Sequence, residues 1–330
     1  MTEFISTCSM PLAIVFLIAG FFFLVKGADV FVEGSSSIAK RFHVPAIIIG
    51  LTIVAMGTSL PETAVSVVAA IQHKNTLAIS NVVGSNIFNM MVVIGFCAIM
   101  TPVAVQKATL KRDFPYSVFA ALLLMILGGV GMKLGRFDSA VFLVFFAIFI
   151  GTMIRMALKA GKEGGHLQSE ETEAAEAQAQ KVMSMPKSLL FLVVGVAGIV
   201  IGGDVVVDSA SNIALKIGMS QTLVGLTIVS IGTSLPELVT SVVAARKNEV
   251  DMALGNAIGS NIFNILFVLG LAGVISPMPF LMENIIDIMI LIVLSLLIWG
   301  FAWTKEKISR KEGIVMLVLY VVYVIYICMR

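Results

Sequence analysis

Two carboxylates stand inside apolar sequence at matching places. Glu62 closes the run Gly57-Thr58-Ser59-Leu60-Pro61-Glu62, and Glu237 closes Gly232-Thr233-Ser234-Leu235-Pro236-Glu237. Proline removes a backbone donor and disfavours helix at the residue before it. The pattern therefore predicts a helix that breaks here and frees backbone carbonyls from about Ala55 and Ser230 onward. Ser59-x-x-Glu62 and Ser234-x-x-Glu237 also fit a capping box, with Pro in the first turn of the helix that restarts. Capping leaves one thing unexplained. An acidic group in the middle of a membrane span costs roughly 3 kcal/mol on insertion scales. Two of them at matching places predict a counter-cation, and a helix N-terminus favours the ionised form that would hold one.

The second motif reads Asn81-x-x-Gly84-Ser85-Asn86-Ile87-Phe88-Asn89 and returns as Asn256-x-x-Gly259-Ser260-Asn261-Ile262-Phe263-Asn264. Spacing of i, i+4 and i+8 puts Asn81, Ser85 and Asn89 on one helix face. Gly84 permits close backbone approach or local unwinding. Such a stripe can bind helices together in lipid, and it can also supply oxygens to a ligand. The two motifs together offer carboxylates, amide oxygens, hydroxyls and freed carbonyls, all hard donors. Calcium takes about six to eight such ligands, whereas zinc or copper would want His or Cys. His43, His73 and His166 fall at loops or span ends, and Cys8, Cys97 and Cys328 are far apart in or beside apolar runs. The cysteines read as packing residues without a disulfide. Two carboxylates would neutralise one divalent ion, and hydroxyls and carbonyls could hold monovalent ions in its place.

These motifs need elements to carry them. The chain has 330 residues, 58% hydrophobic and only 13% charged, with a mean hydropathy of +1.03. A soluble domain carries about a quarter charged residues. The chain must therefore face lipid. A net charge of +2 leaves no basic footprint for nucleic acid. A membrane-crossing helix needs about 20 mostly apolar residues. Ten candidates fall near 11–31, 45–71, 77–100, 115–132, 137–157, 188–208, 220–245, 252–275, 285–303 and 312–329. The start of the chain does not read as a signal peptide. Glu3 stands where positive charge is expected, and no small-x-small site follows the apolar run.

A hydrophilic stretch, 159–187, holds the Glu/Ala/Gln-rich run from Glu170 to Lys181 and reads as a linker. It separates a first five-span half (1–158) from a second (188–330). Sixteen Lys and Arg fall on the linker's side of the spans against five on the other, with Lys26 inside span one. The positive-inside rule then predicts a cytoplasmic linker and both termini outside, in the plasma (inner) membrane.

The strongest signal is internal. Residues 50–95 align with 225–270 at a constant offset of 175, without a gap and with 26 of 46 positions identical. The same offset relates Pro11 to Pro186 and Asp29 to Asp204. Identity concentrates in polar residues and helix breakers, which packing alone would not preserve. Because five is odd, the second half is predicted to enter the membrane in the opposite sense. Oppositely oriented halves are typical of secondary transporters, whose sites form near the midplane where interrupted helices meet.

At the paired GTSLPE and GSNIFN motifs, the ten-span plan and Gly27-Ala28-Asp29, the sequence resembles the calcium/cation antiporter superfamily, and within it the prokaryotic Na+/Ca2+ exchangers. The resemblance implies that Glu62 and Glu237 are central Ca2+ and Na+ ligands. It implies hydroxyl or carbonyl contributions from Thr58, Ser59, Thr233 and Ser234, and ligand roles for Ser85 and Ser260. Asn89 and Asn264 match positions that are Asn or Asp in relatives. Asn at both lowers the charge of the site and argues against K+ dependence, since K+-dependent members carry Asp. The resemblance further implies that spans one and six slide against the other eight. The H+/Ca2+ branch has a similar plan but uses GNxxE-type motifs, absent here; proton-driven cation exchange is the alternative reading.

Other functions find less support. No HExxH, no GxGD/YD pair and no G-x-x-x-x-G-K-[ST] occurs, so neither an intramembrane protease nor an ATP-driven pump is expected. The chain is not expected to be an enzyme or to carry a cofactor, and no obligate protein partner is evident. Channels usually build pores from symmetric subunits, which a site between two halves of one chain does not resemble. Asp29 and Asp204 are expected to form salt bridges or caps, with Lys26 near Asp29, and Glu33 and Asp208 to be interfacial.

Overall fold

The structure is a computed structural model that describes residues 2–72, 76–167, 182–219 and 230–329, with Val224 and Ile228. The run from Glu170 to Lys181 and most of 220–229 lie outside the described residues. Among the described residues the regular structure is helical apart from four two-residue strands. After a short helix at Thr2–Thr7 come α1 (Met10–Arg41), the bent pair α2 (Ala46–Thr58) and α3 (Leu60–Ile71), α4 (Ala78–Met100) and α5 (Thr109–Met132). Then follow α6 (Arg136–Leu167), α7 (Met185–Lys216), α8 (Leu235–Arg246), α9 (Val250–Ile275), α10 (Met282–Lys305) and α11 (Arg310–Met329).

Among the described residues, 8 helices are long and apolar enough to cross a membrane, or 9 if α2 and α3, bent by 49°, count as one span. They fall on nine of the ten expected stretches, and α8 occupies the later part of the tenth. α1 runs ten residues past its expected end. Its polar stretch stays helical because it is packed. A Cβ on Gly34 would lie 2.9 Å from Phe191 Cβ, and Ser188 Oγ donates to Ser37 Oγ at 3.1 Å.

That contact belongs to a long antiparallel seam between α1 and α7. Cβ atoms placed on Gly20, Gly27 and Gly34 would meet Val205, Gly198 and Phe191 in turn, the Gly27 position only 2.7 Å from the Gly198 carbonyl carbon. Glycine at seven-residue spacing lets the two backbones approach, as small residues do between helices in lipid. α2 and α9 cross just as closely: a Cβ on Gly50 would sit 2.5 Å from Met252 O, and one on Gly255 would sit 2.6 Å from Ile47 O.

α4 and α9 form the centre, with 83% and 78% of their apolar stretches buried, against 17% for α6 and α11. Two antiparallel ribbons tie the halves at the helix ends. β1 (Val103–Ala104) pairs with β4 (Lys307–Ile308), and β2 (Lys133–Leu134) with β3 (Met278–Pro279). All three cysteines are free. Cys8 and Cys97 are buried as packing residues, whereas Cys328 is exposed near the end of α11.

Candidate functional site

The bend between α2 and α3 falls at Ser59, whose φ of −84° and ψ of 15° leave the helical range. Ser234 has nearly the same geometry at the start of α8, φ −94° and ψ 4°. Pro61 cannot donate to Gly57 O, and Pro236 cannot donate to Gly232 O, so the ladder loses a rung in each half. The carbonyl expected to be freed first, Ala55 O, accepts from Ser59 N at 3.1 Å. Ser230 begins a one-turn helix, Ser230–Gly232.

The capping box does not form. Ser59 and Ser234 occupy the cap positions, yet neither side chain caps its helix. Ser59 Oγ instead donates to Glu237 Oε1 at 2.7 Å, and Ser234 Oγ donates to Glu62 Oε1 at 3.2 Å. A bond to a carboxylate is roughly twice as strong as one between neutral groups, which draws the hydroxyls away from the backbone. The exchange is reciprocal, each half holding the other's carboxylate. Ser260 Oγ adds a weaker contact to Glu237 Oε1 at 3.5 Å.

Thr58, Ser59, Glu62, Asn89, Ser234, Glu237, Ser260 and Asn264 are all 0% exposed, Ser85 is 2% and Thr233 is 8%. The structure thus joins Ser59, Ser234 and Ser260 to the two glutamates and buries the other candidate residues of both motifs. Glu62 Oε2, Glu237 Oε2, Ser85 Oγ, Asn89 Oδ1 and Asn264 Oδ1 are buried without a hydrogen-bond partner. The ion pairs among described residues involve neither Glu62 nor Glu237. Desolvating an ionised carboxylate costs several kcal/mol, and leaving a buried polar atom unpaired adds to that. Asn89 Nδ2 is also unpartnered, and the ion pairs among the described residues supply no cation to offset the two carboxylates. No group of three or more His, Cys, Asp or Glu occurs among the described residues, so a soft transition metal has no ligand set here. A hard cation fits what is present.

The amides divide into two roles. Asn86 Nδ2 donates to Asn261 O and Asn261 Nδ2 to Asn86 O, both at 3.1 Å, which clamps α4 to α9. Asn264 Nδ2 donates to Asn86 Oδ1 at 3.2 Å, leaving its own Oδ1 unpartnered. Asn256 Oδ1 accepts from Thr58 Oγ1 at 3.0 Å, while its Nδ2 donates to Ser241 Oγ at 2.9 Å and to Glu237 O at 3.3 Å. Asn81 Nδ2 makes the matching bond to Ser66 Oγ at 3.3 Å.

Ser66 and Ser241 escaped the sequence reading although both lie inside the repeat, 175 residues apart. Gly84 does not unwind the helix. A π-turn begins five residues later, at Asn89–Val93, and another at Asn264–Leu269. Such turns cluster at functional sites, and here each starts on a site asparagine. Asp29 forms a salt bridge, as expected, and its partner is Lys247 at 2.6 Å.

A family model described as sodium/calcium exchanger protein matches residues 12–155 and 187–329. The putative antiporter CaxA of Alkalimonas amylolytica is 39% identical over 324 residues, spanning 94% of this chain and 97% of the relative. The sodium/calcium exchanger MaX1 of Methanosarcina acetivorans is 34% identical over 333 residues, spanning 92% and 95%. A solved structure of the sodium-calcium exchanger NCX_Mj, soaked with 2.5 mM Na+ and 0.1 mM Ca2+, superposes with a TM-score of 0.79 at 34% identity, covering 94% of this chain and 97% of that one.

Proposed function

Because the chain belongs to the sodium/calcium exchanger protein family of membrane antiporters, we propose that it exchanges Na+ for Ca2+ by alternating access, with both ions as substrates at the Glu62–Glu237 centre. The observation that carries this reading is the pair of fully buried carboxylates, each held by a serine of the other half and each with an oxygen left over. One Ca2+ matches their charge. Na+ replaces it by taking the same oxygens together with hydroxyls and carbonyls of Thr58, Ser59, Thr233, Ser234, Ser85 and Ser260 and the Ala55 and Ser230 carbonyls. Occupancy by the two ions is then mutually exclusive, which is what couples their movement. Asn89 and Asn264 add neutral oxygens, so the centre's charge rests on two carboxylates.

The architecture we infer has ten spans in two inverted halves, 1–158 and 188–330, joined by a cytoplasmic linker at 159–187, with both termini outside the plasma (inner) membrane. Several features support an internal two-fold relation. α1 and α7 have equal length, and α3 and α8 do too, each pair offset by 175. The serine–glutamate and Asn86–Asn261 bonds are reciprocal, and each ribbon joins one half to the other. Access switches when α1 and α7 move together along the remaining helices.

Ca2+ uptake into proteoliposomes under an outward Na+ gradient tests the reading, compared with a pH gradient alone. Na+-driven uptake is expected in the native chain and is lost in Glu62→Gln. Uptake driven only by the pH gradient would replace Na+ coupling with proton coupling, and no uptake under either gradient would overturn the substrate assignment.

A further inference from the structure

The turn between α8 and α9 presents three residues, Lys247, Asn248 and Glu249, toward α1. Asn248 takes φ 62°, a left-handed conformation asparagine tolerates well, and Glu249 N closes the turn on Ala244 O at 2.9 Å. The turn carries opposite charges two residues apart. Each faces its complement on α1. Lys247 Nζ lies 2.6 Å from Asp29 Oδ1 and 3.9 Å from Glu33 Oε2, and it donates to Asp29 O at 3.0 Å. Glu249 Oε1 accepts from Ser36 Oγ at 2.5 Å and pairs with Lys40 Nζ at 3.6 Å.

This double contact separates two cavities. One, of about 350 Å³, is lined by Glu33, Ser36, Lys40, Lys247 and Glu249. The other, of about 320 Å³, is lined by Lys26, Asp29, Val243, Arg246 and Lys247. The repeat offset places Asp204 and Asp208 opposite Asp29 and Glu33, but it places Gln72 where Lys247 stands. Among the described residues no Lys or Arg pairs with Asp204 or Asp208, and Asp208 Oδ2 is buried without a partner.

We propose that Lys247 and Glu249 form an ionic latch that ties α1 to the α8–α9 turn and holds this end of the molecule closed, and that Lys247 has no charged counterpart at the opposite end, where the repeat places Gln72. The inference rests on the reading that α1 and α7 move against the other helices, because that motion must break the latch. A one-sided latch sets the resting state: the end bearing Arg41 stays shut until bound ions offset the lost pairs. Lys247 and Glu249 are positioning residues that touch no transported ion.

The test reads access directly. Val243, 9% exposed, lies one turn before Lys247 and lines the second cavity. A Val243→Cys reporter in a Cys328→Ser background is treated with a membrane-impermeant maleimide from the latch side, without any ion gradient. Lys247→Gln is expected to raise the labelling rate about five-fold or more, and the exchanged pair Asp29→Lys with Lys247→Asp to return it toward the starting rate. Gln72→Lys, which leaves the latch intact and installs a cation at the opposite end, is expected to raise it as well.

Unchanged labelling in both Lys247→Gln and Gln72→Lys would overturn the latch. Faster labelling in Lys247→Gln that the exchanged pair leaves uncorrected would reduce the contact to packing. A lower labelling rate in Lys74→Gln would overturn the one-sidedness. Labelling needs no transport, so loss of Na+-driven uptake in the native chain would sink the exchange reading without touching this result.

Discussion

Ser59 and Ser234 show how a residue's neighbours decide its role. Both have the sequence context of a helix cap, and both spend their hydroxyls on a carboxylate of the opposite half. Losing a hydrogen bond to a charged group costs about 1.5–3 kcal/mol, or roughly ten- to a hundred-fold in affinity. Ser59→Ala is therefore expected to raise the Ca2+ concentration for half-maximal uptake by about that factor, with Ser234→Ala nearer the lower bound because its bond is longer. Transport assays over a Ca2+ series check both. Asn86→Ala should act differently. Asn86 clamps α4 to α9, so thermal unfolding is expected to fall, by about 1 kcal/mol for each bond lost on the scale measured between membrane helices, as read by melting in detergent. The oxygen donors were legible from residue type and repetition. Which of them would face the centre and which would hold helices together was not, because Asn86 and Asn89 differ only in how α4 is rotated against α9.

At the scale of elements, glycine placement matters more than hydropathy. The α1–α7 seam works because nothing but hydrogen stands between backbones at Gly27 and Gly198. Gly27→Val is expected to force the helices apart and abolish uptake while lowering thermal stability, whereas Gly129→Ala, with no atom within 4 Å of the added carbon, should leave uptake and melting close to native. Proteoliposome uptake and detergent melting check the pair. The helix breaks at Pro61 and Pro236 could be read from the chain, since proline's missing N–H is a local property. The π-turns at Asn89 and Asn264 could not. A π-turn inserts one residue into a helix at small local cost, and only packing against the neighbouring helix decides where it falls.

For the whole molecule, topology is the property most open to test. The proposed orientation predicts that an impermeant thiol reagent reaches a cysteine introduced at Ser169, in the linker, only from the cytoplasmic side, and Cys328 only from the outside. Labelling in intact cells and in inverted vesicles distinguishes the two. The amino-acid sequence by itself determined that the chain lives in lipid, that it is duplicated with an offset of 175, that it carries two acidic residues at helix breaks, and that the candidate ligands it repeats are oxygen donors. All of these follow from composition, spacing and covalent geometry, which need no partner to be true. Tertiary structure alone decided that each serine serves the other half's glutamate, that Ser66 and Ser241 brace Asn81 and Asn256, that α1 stays helical through its polar end, and that Asp29 pairs with Lys247 across 218 residues. Those are long-range facts. A hydroxyl, an amide or a salt-bridging amine makes its bond with whichever group packing brings within about 3 Å, and no local property of the chain names that group in advance.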